Sequence, residues 1–159
     1  MAVTECTLQM VKSHLPPPGT ALGCYTFLSP EALWTGTMEE VGPFVAVAED
    51  DWPGGGPFLL VAESGPVYIG DRAESPGRDC LLDRCAASFP QFMELFRLFQ
   101  TAAADMPSFS LQESEAYEAW CAETEQVLRR QMMAVDPTAL EDEESLWSTT
   151  LEEFGAGML

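Results

Sequence analysis

Basic side chains are scarce in this sequence. It carries one histidine (His14), one lysine (Lys12) and seven lysines and arginines in all, against 26 aspartates and glutamates in 159 residues. Each shortage excludes a chemistry. A hydrolytic triad or a Cys-His pair would have to use His14, which precedes a triple proline, and no nucleophile stands in a recognisable local motif. A histidine-based zinc site lacks ligands, and Cys80 with Cys85 alone cannot complete one. No D-x-D-x-D-G loop offers calcium a cage. Gly54 to Gly56 run into Pro57 and a strand, where a phosphate-cradling loop needs a helix N-terminus. No apolar run approaches the ~18 residues of a membrane-spanning helix. The opening MAVTECTLQM has neither the positive region nor the apolar core of a signal peptide. The five cysteines are an odd, scattered set without a C-x-x-C. They read as small hydrophobes in a reducing compartment, so the expected location is cytoplasmic.

The remaining charge is strongly negative, −19 at neutral pH. Such a surface repels nucleic-acid phosphates and anionic membranes alike, which disfavours both as direct partners. It suits rapid, steered association with a basic protein. Paired carboxylates could still perform glycosidase-like acid–base work, and Glu49, Asp50 and Asp51 stand together. Among 26 acidic residues a neighbouring pair arises by chance. No catalytic residue, cofactor or metal is therefore assigned, and a carboxylate enzyme is kept only as a minor alternative. With 47% hydrophobic residues the chain can bury a core, and its length fits a single domain over residues 1–159.

The apolar pattern points to strands first and helices last. Residues 1–15 fit a short helix or a strand, stopped by Pro16-Pro17-Pro18-Gly19. Leu22 to Leu28 is short, aromatic and bounded by turn residues, and reads as a strand or an extended entry. Ser29-Pro30 predicts a helix of a turn or two. Phe44–Ala48, Phe58–Ala62 and Val67–Ile69 are strand-like runs joined by short connections, so they pair antiparallel. The Glu49-to-Trp52 stretch and the Pro53-to-Pro57 stretch read as loop, and residues 72–84 as loop with a short edge strand near Cys80-Leu81-Leu82. Ser88 with Gln91 forms a capping box for the strongest helix, whose Phe92, Leu95, Phe96 and Phe99 share one face. A second helix runs roughly from Gln112 to Ala134, with Tyr117, Trp120, Cys121, Thr124, Leu128 and Met132 as its stripe. A third spans about Ser145 to Phe154, with Gly155 as its C-terminal glycine. The class is α+β, an antiparallel meander packed by helices, several of them C-terminal.

Three stretches carry a family resemblance. The first is Leu59-Leu60-Val61-Ala62-Glu63-Ser64-Gly65-Pro66-Val67-Tyr68-Ile69, a hairpin with a glycine before its short apolar strand. The second is Cys85-Ala86-Ala87-Ser88-Phe89-Pro90-Gln91-Phe92, the entry to the capped helix. The third is Ala134-Val135-Asp136-Pro137-Thr138-Ala139-Leu140, followed by Trp147 and Leu151-Glu152-Glu153. In order and spacing the sequence resembles the SUKH superfamily (Smi1/Knr4-like fold), and within it the SUKH-4 type of bacterial immunity protein. The resemblance implies an antidote that binds and blocks a cognate polymorphic toxin, commonly a nuclease or a nucleic-acid deaminase. A toxin with a basic cleft would be drawn to a −19 partner, which needs no catalytic residue to occlude it.

The candidate toxin contacts are Glu49, Asp50, Asp51 and Trp52, and the acidic linker Glu141, Asp142, Glu143 and Glu144. Each set places carboxylates near a tryptophan, a combination found at charge-steered hot spots. Trp147, at helical spacing with Leu151, reads as core instead, as do Phe92, Phe96 and Phe99. The alternative to an antidote is a non-enzymatic scaffold or regulatory module of the same fold.

Overall fold

The computed structural model describes residues 2–50, 56–72 and 80–158. Backbone contacts divide the chain into two compact units, Met1–Met93 and Glu94–Leu159.

The first unit opens with helix α1 (Glu5–His14), resolving the ambiguity of the N-terminal stretch. Thr4 is its N-cap and accepts the Thr7 N–H, Glu5 lies in the first turn, and Lys12 and His14 lie in the last. Both charge placements suit the helix dipole. A tight hairpin follows, β1 (Ala21–Leu22) and β2 (Tyr25–Phe27), turned by Gly23 at a φ of +57°. The helix expected at Ser29-Pro30 is only a single turn, closed by Ala32 N–H to Ser29 O at 3.0 Å. The chain then enters strand β3 (Trp34–Met38), because Trp34, Thr35 and Thr37 favour a pleated surface and find a partner in β4.

Strand β4 (Gly42–Asp50) is the spine of the sheet. On one edge it pairs β3 through Gly42–Ala46 and β2 through Ala48–Asp50, end to end. On the other edge it pairs β5 (Pro57–Ala62), which continues to β6 (Val67–Asp71) and β7 (Cys80–Ala86), all antiparallel. The expected meander is therefore present and extended to a seven-stranded sheet. The β5–β6 connection, residues 63–66, uses Gly65 at a φ of +119°. The edge strand is longer than expected, covering Cys80–Ala86. Both faces of the central strands are buried: every residue of Phe44–Ala48 and of Phe58–Ala62 is at most 1% exposed. One face holds Phe44, Ala46, Phe58, Leu60 and Met38, with Trp34, Tyr68 and Leu81 packed against them.

Helix α2 (Phe89–Ala104) begins as the capping box predicts: the Ser88 hydroxyl accepts the Gln91 N–H at 3.3 Å and donates to Gln91 Oε1 at 2.8 Å. Phe89, Phe92, Leu95 and Phe96 are buried along it. The second unit contains the C-terminal half of α2, then α3 (Ser114–Val135), a 3-10 turn (Pro137–Leu140) and α4 (Leu146–Gly155). Buried Asp136 ends α3 and starts the turn, its Oδ1 accepting from Thr138 N and Oγ1 at 3.0 and 2.6 Å. Ser145 caps α4 and donates to Ala139 O at 3.1 Å. Cys121, Leu128, Met132, Trp147, Leu151 and Phe154 form the core of this unit. Phe99 is half-buried, edge-on to Phe154 with ring centroids 5.9 Å apart. Gly155 is the last residue of α4, and the left-handed glycine that leaves the helix is Gly157, at a φ of +70°.

Candidate partner-binding site

A β-bulge positions the first acidic pair. In β4, Ala46 stands opposite Leu60 but Ala48 stands opposite Leu59, so Val47 is an extra residue in the ladder. Side chains alternate with a period of two, so one inserted residue turns the following ones to the other face. Glu49 thereby pairs with Phe58 and joins the face of Phe44, Ala46 and Phe58. There its carboxylate accepts the Trp34 indole N–H at 2.6 Å and the Arg72 guanidinium at 2.5 Å. Arg72 lies over the Trp34 ring, 4.5 Å from its centroid, and 5.8 Å from that of Phe58. Glu49 is thus a strand residue committed to the sheet, with its side chain 35% exposed. Trp34 and Arg72 belong to this constellation although neither stands near Glu49 in sequence. Asp50 ends β4 opposite Tyr25, and its charge, after burial, helps to raise the Cys24 thiol pKa. Asp51 and Trp52 lie outside the described residues.

The second acidic set belongs to the other unit. Glu141, Asp142, Glu143 and Glu144 are all exposed, between the 3-10 turn and α4. Asp142 also builds the backbone here: its Oδ1 accepts the Glu144 N–H at 2.9 Å, and its carbonyl accepts the Ser145 N–H at 3.1 Å. The turn holds Glu141, Glu143 and Glu144 outward, and among the described residues none of the three has an ion-pair partner. Trp147 is fully buried, core as its spacing predicts, and gives this patch no surface anchor.

Among the described residues no cluster of three or more histidine, cysteine, aspartate or glutamate side chains is placed to hold a metal ion, and no helix is long and apolar enough to cross a membrane. A seven-stranded antiparallel sheet followed by C-terminal helices is consistent with the SUKH fold. The family model of SUKH-4 immunity proteins matches residues 25–153, and the chain belongs to that family. Its role is toxin immunity, with a cognate toxin as partner. Nothing among curated proteins or solved structures matches the chain.

Proposed function

We propose that this chain neutralises its toxin by binding it, without catalysis of its own, and that the toxin presents a basic surface that handles nucleic acid, as a nuclease or a nucleic-acid deaminase does. The carrying observation is the charge: −19 overall, with Glu141, Glu143 and Glu144 held outward by the Asp142 turn. Occluding a phosphate-binding cleft needs complementary charge and shape and no reactive group. Glu49, Asp50, Asp51 and Trp52 form the second proposed contact. We read residues 1–159 as a single acting domain, since the family match runs through both compact units. All five cysteines are unpaired, in keeping with a reducing cytoplasm.

The test is co-expression with the cognate toxin, together with isolation of the complex. Rescue of growth and co-elution are expected, with an association rate that falls as salt rises. Loss of rescue with no complex on the column would sink the proposal, and a salt-independent association rate would remove its electrostatic part.

A further inference from the structure

The second unit contains a groove of about 550 Å³ that neither the acidic turn nor the sheet uses. One wall is the α2 face of Leu98, Thr101 and Ala102, with Asp105 just past the helix end; the other is the α3 face of Trp120, Glu123, Thr124 and Val127. The α2 positions 98 and 102 and the α3 positions 120, 124 and 127 both follow the helical repeat, so each wall is one face of a helix. Thr101, Ala102 and Thr124 are too short to fill the space between the walls. Trp120 packs on Phe154 and Phe109, at ring centroid distances of 5.8 and 6.5 Å. α3 packs closely on α4 and the 3-10 turn, whereas α2 makes no comparable backbone approach to α3. Val127 is 42% exposed at the groove, an apolar residue outside the stripe that α3 buries.

The rim is acidic. Asp105 and Glu123 are exposed, and among the described residues neither has an ion-pair partner. Arg97, the one cation of the lining, is neutralised by Glu94 through two hydrogen bonds. Walls from two helices carrying Leu98, Trp120 and Val127, with exposed carboxylates at the edge, match an amphipathic helix with basic flanks. A second copy of this chain is a poor occupant, because each copy would bring a net charge of −19 to the contact. Nucleic acid is excluded by the same charge.

We propose that this groove takes an amphipathic α-helix of the toxin, its apolar face on Leu98, Trp120 and Val127 and its lysines or arginines against Asp105 and Glu123. The proposal rests on the immunity reading and adds to it a contact site, with a partner segment of defined chemistry.

The probe is a synthetic 18-residue helical peptide with a leucine stripe flanked by lysine and arginine, titrated into the full chain and followed by amide and indole NMR shifts. Shifts centred on Leu98, Trp120 and Val127 are expected, with the same peptide flanked by glutamate binding at least about tenfold more weakly. Val127→Asp should weaken the basic peptide about tenfold or more, and Asp105→Asn with Glu123→Gln about three- to tenfold. Both sites are at the surface, so circular dichroism and the thermal melt should match the parent chain. No binding, shifts centred on the Glu141–Glu144 turn, or equal affinity for Val127→Asp would each overturn the proposal. The titration uses no toxin. Its failure removes the groove and leaves the immunity reading standing, whereas failure of the parent chain to rescue cells removes that reading without touching the titration.

Discussion

Trp34 donates its indole N–H to the Glu49 carboxylate at 2.6 Å, and the same carboxylate holds Arg72 over the Trp34 ring. A hydrogen bond to a charged acceptor contributes about 1.5–3 kcal/mol when well shielded, and an exposed ion pair well under that. Glu49 is partly solvated, so Glu49→Ala is expected to cost about 1–2 kcal/mol of folding stability. Glu49→Gln keeps an acceptor for Trp34 and should cost less than about 1 kcal/mol. Urea denaturation of both variants checks the order. Equal stabilities for Glu49→Ala and the parent chain would show that these two bonds contribute nothing to the fold.

The same face of the sheet depends on two glycines. Gly70 stands opposite Phe58 and Gly36 opposite Phe44, and each ring lies across its glycine. A Cβ at Gly70 would meet Phe58, Met38 and Leu60 at 2.8, 3.0 and 3.1 Å, and one at Gly36 would meet the Phe44 ring at 2.6 Å. These rings belong to a packed cluster, with Phe44 and Phe58 centroids 5.8 Å apart, and have little room to yield. Gly70→Ala and Gly36→Ala are each expected to lose about 1–3 kcal/mol, and Phe58→Ala about 3–5 kcal/mol. Chemical denaturation measures all three. A neutral Gly70→Ala would contradict the close ring-on-glycine packing.

Much of this fold is legible in the sequence where the signal is local. The Ser88-Gln91 box acts within a few residues, and α2 starts where that signal stands. What is not legible depends on distant pairing. Trp34–Met38 becomes a strand only because β4 offers an edge, and Ser29-Pro30 is overridden for that reason. The side-chain alternation of β4 gives no warning of the bulge at Val47, so Glu49 reads as a loop residue although it is tied to Trp34 and Arg72. The groove is hidden for a similar reason, since the distance between two helices is not written in either one. Its single local trace is Val127, an apolar residue outside the buried stripe of α3.

Glu63 links the α1 cap to the β5–β6 connection. It accepts from Thr4 N at 3.1 Å and Thr4 Oγ1 at 2.8 Å, and these bonds hold its pKa below the ordinary 4.5. A carboxyl whose folded-state pKa is lowered adds stability that is complete above its unfolded value and disappears as pH falls through the folded one. The stability gap between the parent chain and Glu63→Gln should therefore be open at pH 7 and close in acid below 4.5. The Glu63 carboxyl shift followed by NMR should titrate with a midpoint under 4.5 and return towards it in Thr4→Val. A midpoint unchanged by Thr4→Val would refute the tether.

The cysteines should separate by environment. Burial, reinforced by the Asp83 charge, pushes the Cys85 thiol far up, and Cys121 is 1% exposed. Cys6, Cys24 and Cys80 are exposed, with the Cys24 thiol raised by partial desolvation and then by Asp50. A thiol reagent at pH 8 should label Cys6 and Cys80 quickly, Cys24 more slowly, and Cys85 and Cys121 only after denaturation. Mass spectrometry of partially labelled chain reads this order. Rapid native labelling of Cys85 would mean that β7 opens at its Ala86 end.

The acidic turn allows charge and architecture to be tested apart. Asp142 uses its carboxylate to close the turn, whereas Glu141, Glu143 and Glu144 have exposed carboxylates held outward. Asp142→Ala removes the acceptor of the Glu144 N–H and should cost about 0.5–1.5 kcal/mol of stability. It should also disorder the approach to the Ser145 cap of α4. Glu141→Gln, Glu143→Gln and Glu144→Gln together should leave stability within about 0.5 kcal/mol, because surface substitutions away from caps and cores are nearly neutral. If the toxin is steered by this patch, the triple variant should associate about three- to tenfold more slowly, with a shallower salt dependence and a nearly unchanged dissociation rate. Surface plasmon resonance at two ionic strengths separates these rates. An unchanged association rate in the triple variant would remove the turn from the proposed interface, and slower association in Asp142→Ala alone would then trace to lost structure at α4 and not to lost charge.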